Sequence, residues 1–192
     1  MKKIGIAGYA GSGKTILTKF IAEKYGADVI DVDSYAKDLM VSTLEIKQKL
    51  KQSFGDAVVV NNLIDFKKLG DLSFSSLDNL KRLNAIVHPP LLKSLKSLLP
   101  TLTNSIIVLD AALISYWRIE SWFDSLVWVE ANRDIRLKRL LERTGLSRSI
   151  VENRVIIQEM LFDEPVDGAY CILNNESNQN SLIDNFINLE VI

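Results

Sequence analysis

The chain has 192 residues, 47% of them hydrophobic, and a formal net charge of −1. This length and composition are typical of one globular domain and exclude a disordered or fibrous chain. The near-zero charge gives no global field for nucleic acid or an anionic membrane, so a polyanionic ligand needs locally placed cations. Because Cys171 is the single cysteine, an intramolecular disulfide and a multi-cysteine metal site are excluded.

Apolar segments are short along the whole sequence. Two lysines stand near the N-terminus, but glycines follow before a long apolar run develops, so no signal peptide is predicted. No run of about 18 apolar residues occurs elsewhere, which argues against a membrane span. We therefore predict a cytoplasmic protein with neither a membrane nor a nucleic-acid partner.

The first apolar run, at residues 4–7, leads into a glycine-rich loop that reads Gly8-Tyr9-Ala10-Gly11-Ser12-Gly13-Lys14-Thr15. This is the phosphate-binding loop pattern, and it lies between a predicted strand and a predicted helix. Its glycines let backbone N–H groups face phosphate oxygens, and the helix N-terminus adds positive potential. We predict that Lys14 reaches the outer phosphates and that the Thr15 hydroxyl binds Mg²⁺. The predicted ATP contacts in this segment are Ala10, Gly11, Ser12, Gly13, Lys14, Thr15 and Ile16.

The second β-branched run, at residues 29–32, is followed by a carboxylate at Asp33. In a parallel α/β sheet this strand end delivers side chains to the edge beside the phosphate loop. Asp33 is therefore placed to orient an acceptor hydroxyl and take its proton during phosphoryl transfer. The alternative is an aspartate that caps the following helix.

The segment from Ser34 to Asn104 is longer than a simple crossover connection requires. Leucines recur in it at helical spacing, so we predict an inserted, mostly helical substrate subdomain within about 34–100. His88, the only histidine, precedes Pro89 and Pro90 at the predicted start of a helix. On these features alone we interpret it as structural, because one histidine cannot form a histidine-rich metal site.

Three later β-branched runs, at 106–109, 126–129 and 170–173, alternate with helical patterns. The fold class predicted is α/β, a three-layer P-loop fold around a five-stranded parallel sheet. Asp110 follows the run at 106–109. Its side chain either belongs to the metal shell or simply ends the strand.

A helical pattern that ends at Gly145 carries Arg136, Arg139 and Arg143 on one face. One interpretation is a solvated basic stripe. The other is a lid over about 136–158 whose arginines close over the phosphates and exclude water.

These features occur in an order that resembles the dephospho-coenzyme A kinase family over nearly the whole chain. The resemblance rests on the phosphate loop, the acidic motif Asp31-Val32-Asp33, the segment 83–89 (Leu-Asn-Ala-Ile-Val-His-Pro) and the arginine-rich run 136–147. It implies a single P-loop kinase domain over 1–192 that uses ATP and Mg²⁺. The implied reaction transfers the γ-phosphate to the ribose 3′-hydroxyl of 3′-dephospho-coenzyme A, a small-molecule substrate.

The resemblance also implies roles for individual residues. The implied catalytic residues are Asp33, Lys14 and Arg143. The implied ATP contacts beyond the loop are Arg139, Arg143 and Asn174, the last near the adenine. The implied substrate contacts are Asp33, His88, Leu113 and Gln158, and the implied metal ligands are Thr15 and Asp110.

Several positions depart from the family pattern and predict a divergent member or altered specificity. Ala111-Ala112-Leu113 replaces the usual Pro-Leu-Leu, and Ser115-Tyr116 replaces phenylalanine and glutamate. Phe66 stands where arginine is usual, Arg136 where glutamine is usual, and Ala169 where aspartate is common.

Local motifs leave other functions open. Shikimate and nucleoside monophosphate kinases also combine a phosphate loop with a strand-end acidic motif, but the chain lacks the Gly-Gly-Gly run of shikimate kinases. A nucleotide-dependent switch is disfavoured because no Asn-Lys-x-Asp motif occurs. An inactive nucleotide-binding relative is disfavoured because Lys14, Thr15, Asp33 and Arg143 are all present.

Overall fold

A computed structural model describes residues 1–162, 168–176, 179–189 and 191–192. In chain order the strands are β1 (Lys2–Ala7), β2 (Asp28–Asp31), β3 (Val59–Val60), β4 (Leu63–Ile64), β5 (Ile106–Asp110), β6 (Ser125–Glu130) and β7 (Cys171–Asn174). The α-helices are α1 (Lys14–Tyr25), α2 (Val32–Ser42), α3 (Leu44–Phe54), α4 (Phe66–Ser73), α5 (Leu77–Leu98), α6 (Ile114–Trp117), α7 (Arg133–Thr144), α8 (Arg148–Leu161) and α9 (Gln179–Asn188). Two units form, one from Met1–Val32 with Leu102–Ile192 and one from Asp33–Thr101.

The first unit contains a five-stranded sheet in the order β2-β5-β1-β6-β7, with every neighbouring pair parallel. The central strands are buried on both faces, as their β-branched runs predict. Side chains from β1, α1 and α9 fill one core, in which Ile4, Leu17 and Phe186 are almost fully buried. The predicted fold class, an α/β fold around a five-stranded parallel sheet, is confirmed.

The boundary between β2 and α2 differs from the predicted one. Strand β2 ends at Asp31, which pairs with Asp110 of β5, and Val32 already begins α2. Asp33 therefore lies in the first turn of a helix and not at the end of a strand. Apolar Val32 suggested a longer strand, but its buried side chain belongs to the helix.

The second unit consists of helices α2–α5 and the β3–β4 hairpin. Asn61 and Asn62, the two hairpin turn residues, both have positive φ angles, of 49° and 63°. Asparagine tolerates this left-handed region better than most residues, which explains the pair of asparagines here. The unit has its own core, which includes Met40, Ile46, Leu50, Val58, Val59, Leu69 and Val87.

Helix α5 continues through two prolines, contrary to the prediction that a helix begins near them. It starts at Leu77, where the side-chain oxygen of Ser76 accepts from the Asn79 N–H, and Pro89 and Pro90 lie inside it. An internal proline costs a helix about 3 kcal/mol. The buried face, formed by Leu80, Asn84, Val87, Leu91 and Leu95, keeps helical spacing across the prolines, so tertiary packing outweighs that cost.

Within the described ranges, no helix combines the length and the apolarity that a membrane crossing requires.

Candidate active site

The phosphate loop connects β1 to α1 and depends on glycine at both ends. Gly8 has a φ of 141°, and a Cβ there would lie less than 3.0 Å from the Val129 carbonyl oxygen. Gly13, the N-cap of α1, has a φ of 111°, and a Cβ there would lie less than 3.0 Å from the Asn175 side-chain amide. The predicted loop between strand and helix is therefore present, and side chains at these two positions would not fit.

Lys14 is the first residue of α1, and its side chain folds back over the loop. Its Nζ donates to the Gly8 carbonyl at 2.8 Å and to the Tyr9 carbonyl at 3.3 Å. These bonds hold a positive charge above the backbone that precedes the helix N-terminus. The ammonium group and the positive end of the helix dipole thus both favour an anion here.

The underside of the loop is held by Arg139 and Asn175. The Ser12 carbonyl accepts from Asn175 Nδ2 at 2.6 Å and from Arg139 Nη1 at 3.2 Å. Arg139 also donates to the Gly11 carbonyl at 3.3 Å and to the Asn175 carbonyl at 2.9 Å. These bonds satisfy the Gly11 and Ser12 carbonyls and hold the loop from below.

The three arginines of α7 have different surroundings, although the predicted helix is confirmed. Arg136 is only 4% exposed and pairs with Glu159 of α8. Arg139 is half-buried against the loop, whereas Arg143 is exposed in the last turn of α7. The interpretation of a uniformly solvated stripe is therefore wrong. The Arg143 side chain forms no hydrogen bond or ion pair with any residue that the structure describes.

Gln158 of α8 lies at the phosphate loop, where its Oε1 accepts from the Ala10 N–H at 2.9 Å. The sequence associated Gln158 with the substrate and Ala10 with ATP. The structure places the two residues in direct contact, so α8 helps to shape the loop.

Two oxygen donors for a metal stand at the carboxyl end of a strand and at the amino end of a helix. Asp110 ends β5, in register with Ile6 of β1 and Asp31 of β2. Thr15 lies in the first turn of α1 and is exposed. Within the described ranges, no group of three or more His, Cys, Asp or Glu residues is arranged to hold a metal.

The remaining predicted site residues occupy separate elements. Asn174 is exposed at the end of β7, paired in register with Glu130, and Leu113 is the half-buried N-cap of α6. Ile16 follows the loop in α1 and packs against the core of the first unit. In the second unit, Asp33 is exposed in the first turn of α2.

His88 lies in α5 of the second unit and is half-buried. Burial lowers the pKa of its imidazole from 6.5 to about 4, because the cationic form loses hydration. At neutral pH the ring is therefore uncharged. It can donate and accept a hydrogen bond but cannot supply charge to a phosphate.

The family model and the curated relatives agree on one family. A family model described as dephospho-CoA kinase matches residues 2–181. The chain belongs to the dephospho-CoA kinase family. A dephospho-CoA kinase of Fusobacterium nucleatum is 30% identical over 180 residues, which cover 93% of this chain and 92% of that one.

Solved structures support the fold of this dephospho-CoA kinase family member. A Thermus thermophilus structure has a TM-score of 0.72 at 26% identity and covers 98% of this chain and 95% of its own. A dephospho-CoA kinase from Campylobacter jejuni has a TM-score of 0.59 at 18% identity, with coverage of 97% and 96%, and shows the shared fold. The predicted family and kinase class are confirmed: the chain is a phosphotransferase that acts on a hydroxyl group.

The loop of this family member fits a nucleotide phosphate. Ser12 Oγ is fully buried and bonds none of the described residues, so a hydroxyl is available inside the loop. Thr15 and Asp110 supply the hard oxygen donors that Mg²⁺ prefers, and Mg²⁺ commonly takes its other ligands from phosphates and water. The donor set therefore fits the metal.

Some residues that shape the site were missed by the sequence analysis. Asn175 adjoins the predicted Asn174, but only the geometry shows that the second asparagine turns toward the loop. Arg136 was interpreted as solvated or as part of a lid, because arginine is seldom buried without a partner. Its partner Glu159 adjoins Gln158 and carries no motif of its own.

We expect a Gly13→Ala substitution in this kinase to lower both the free energy of unfolding and nucleotide affinity. The new Cβ would displace Asn175, whose amide bonds the Ser12 carbonyl, and breaking a buried hydrogen bond costs about 1–3 kcal/mol. The matched control is Gly145→Ala, where φ is also positive but no atom lies within 4 Å of the new Cβ. Gly145→Ala should lower the free energy of unfolding only through backbone strain, by about 1–2 kcal/mol. Urea unfolding and MgADP titration compare the two variants. Equal losses of unfolding free energy and of MgADP affinity would contradict the displacement of Asn175 by the new Cβ.

The stability of the kinase should depend on pH through His88. The unfolded chain takes up a proton below about 6.5, whereas the folded state resists until about 4, so the stability contributed by His88 falls as the pH drops through this window. We expect His88→Gln to lose less unfolding free energy than the unsubstituted protein between pH 7 and pH 4.5. Urea unfolding at several pH values measures this difference. Parallel curves for the two proteins would contradict the burial of a neutral imidazole.

Proposed function

We propose that the chain transfers the γ-phosphate of ATP to the ribose 3′-hydroxyl of 3′-dephospho-coenzyme A, giving coenzyme A and ADP. The observation that carries the proposal is the phosphate loop, with Lys14 held over it by the Gly8 and Tyr9 carbonyls. The family match over residues 2–181 supports the choice of acceptor.

On the phosphate side, the loop from Ala10 to Ile16 binds the nucleotide. Lys14 neutralises charge on the outer phosphates, and backbone N–H groups at the start of α1 donate to their oxygens. Arg143 approaches the transferring phosphate and stabilises its charge, as an exposed arginine without a described partner is free to do. Arg139 acts beneath the loop through the Gly11 and Ser12 carbonyls. Asn174 contacts the adenine.

On the acceptor side, Asp33 orients the ribose 3′-hydroxyl and takes its proton as the oxygen attacks phosphorus. Its exposed carboxylate is available for this step. His88, being neutral, holds the substrate through a hydrogen bond. Leu113 and Gln158 complete the proposed contacts with dephospho-coenzyme A.

Thr15 and Asp110 would hold Mg²⁺. When bound, the metal offsets negative charge on the phosphate oxygens. The chain's own contribution is to present one hydroxyl and one carboxylate from the ends of adjoining elements. Most of the metal's ligands would then come from the nucleotide and water.

The test is ADP formation from MgATP across a panel of acceptors, with Lys14→Ala as the inactive control. The panel contains dephospho-coenzyme A, adenosine, shikimate, nucleoside monophosphates and no acceptor. Stimulation by dephospho-coenzyme A alone is expected. Stimulation by another acceptor would overturn the proposed substrate, and no stimulation would favour an inactive nucleotide-binding relative.

A further inference from the structure

The side chain of Tyr9, the second residue of the phosphate loop, is half-buried between two aromatic side chains. Its ring lies 5.4 Å from Trp128 of β6 and 5.1 Å from Phe162, which follows α8. Its hydroxyl donates to the Phe162 carbonyl at 3.2 Å. These contacts fix the Tyr9 side chain and therefore hold the first half of the loop.

Arg136 of α7 contacts the loop at two points. Its guanidinium carbon lies 4.7 Å from the centre of the Tyr9 ring, within the range of a cation–π contact. Its backbone lies directly against Gly11, where a Cβ would be 2.8 Å from the Arg136 carbonyl oxygen. The residue therefore touches the loop on both sides of Ala10.

The guanidinium of Arg136 also has polar partners. Its Nε donates to the Ala131 carbonyl at 3.1 Å, and its Nη2 pairs with Glu159. Glu159 also faces Arg133, at 3.6 Å. The remaining Nη1 is buried and bonds none of the described residues. The Ala131 and Glu159 contacts therefore fix the orientation of the guanidinium beside the Tyr9 ring.

We propose that Arg136 is a positioning residue for phosphoryl transfer: by holding the Tyr9 ring, it keeps the phosphate loop in the shape that binds nucleotide. The proposal rests on the proposed use of ATP at this loop. Gln158 also positions the loop, since its Oε1 accepts from the Ala10 N–H. Loss of the Arg136 contact should therefore weaken nucleotide binding and leave the dephospho-coenzyme A KM unchanged.

The test compares MgADP affinity, measured by calorimetry, with thermal stability and the two KM values. Arg136→Met should raise the MgADP Kd about tenfold, a value between those of an exposed and a desolvated cation–π contact. The matched control is Arg133→Met, because Arg133 faces the same Glu159 but is exposed and has no recorded contact with Tyr9 among the described residues. Its Kd should equal that of the unsubstituted protein.

A double variant separates positioning from stability. Arg136→Met leaves Glu159 without its closest partner, and adding Glu159→Gln removes that uncompensated charge. The double variant should regain thermal stability while its MgADP Kd stays raised. In a Tyr9→Leu background, Arg136→Met should change the Kd by less than about twofold, because the contact is already absent.

Three results with the variants would overturn the inference. The first is a double variant with the Kd of the unsubstituted protein, and the second is a full Arg136→Met effect in the Tyr9→Leu background. Should Arg136→Met fail to fold, Tyr9→Leu removes the same contact from the other side, and an unchanged Kd for it would be the third. Absence of MgADP binding by the unsubstituted protein would overturn the proposed function, and this inference with it.

Discussion

Replacement of Asp33 by asparagine is expected to lower kcat by about 10²–10⁴-fold, the range that general acid–base catalysis contributes. Asparagine keeps the size of the side chain and its position in the first turn of α2, but it cannot take a proton from the ribose hydroxyl. Because the proposed contact is with the acceptor, the Kd for MgATP should stay nearly unchanged. Steady-state kinetics and nucleotide titration measure the two effects.

The matched control for Asp33 is Asp38→Asn, an exposed carboxylate on the same helix. It removes the same charge from α2 and should leave kcat unchanged. A normal turnover for the Asp33→Asn protein would defeat the assignment. A raised MgATP Kd with unchanged kcat would also contradict it, since that result would indicate that Asp33 contacts the nucleotide and not the acceptor.

Replacement of Lys14 by methionine should lower kcat/KM for ATP by about 10²–10³-fold or more, as loss of a group that stabilises transition-state charge does. Methionine retains most of the length of the side chain but donates nothing to the Gly8 and Tyr9 carbonyls and carries no charge. The MgADP Kd should rise and kcat should fall, because the ammonium group faces the phosphates in the ground state and in the transition state.

Lys19→Met is the control for Lys14, since Lys19 is an exposed lysine on the same helix. Its activity and MgADP affinity should match those of the unsubstituted protein. Circular dichroism and thermal unfolding verify that both variants fold. A folded Lys14→Met protein with normal activity would contradict the proposed phosphate site.

The central sheet and the phosphate loop were predictable because their signals are local. The strands β1, β5 and β6 each contain a continuous apolar run, and the loop carries glycines where the backbone has positive φ angles. A buried parallel strand and a left-handed glycine leave these patterns in any sequence. Their positions could therefore be stated before the structure.

Where tertiary packing outweighs local preference, the sequence was a poorer guide. The two prolines of α5 favour a helix boundary, yet the buried face of that helix continues through them. Val32 looks like a strand residue, but β2 loses its pairing partner after Asp31, and the chain turns into α2. In both places the contact that decides the structure lies far away along the sequence.

The candidate site shows the same contrast. Lys14 and Gln158 follow from the motif and from the family resemblance, and the structure places both at the loop. Asn175 and Arg136 support the same loop, but their orientation depends on how β7 and α7 pack beside it. Arginine is usually solvated, so its burial against Tyr9 could not be predicted from its spacing alone.

The most direct test of the proposed reaction follows the γ-phosphate itself. ATP labelled at the γ-phosphate is incubated with Mg²⁺, dephospho-coenzyme A and the protein, and the products are separated and located by mass spectrometry and phosphorus NMR. We predict one labelled coenzyme A for each ADP, with the label at the ribose 3′-position. Label recovered as inorganic phosphate, or at another position of the acceptor, would contradict transfer to the 3′-hydroxyl.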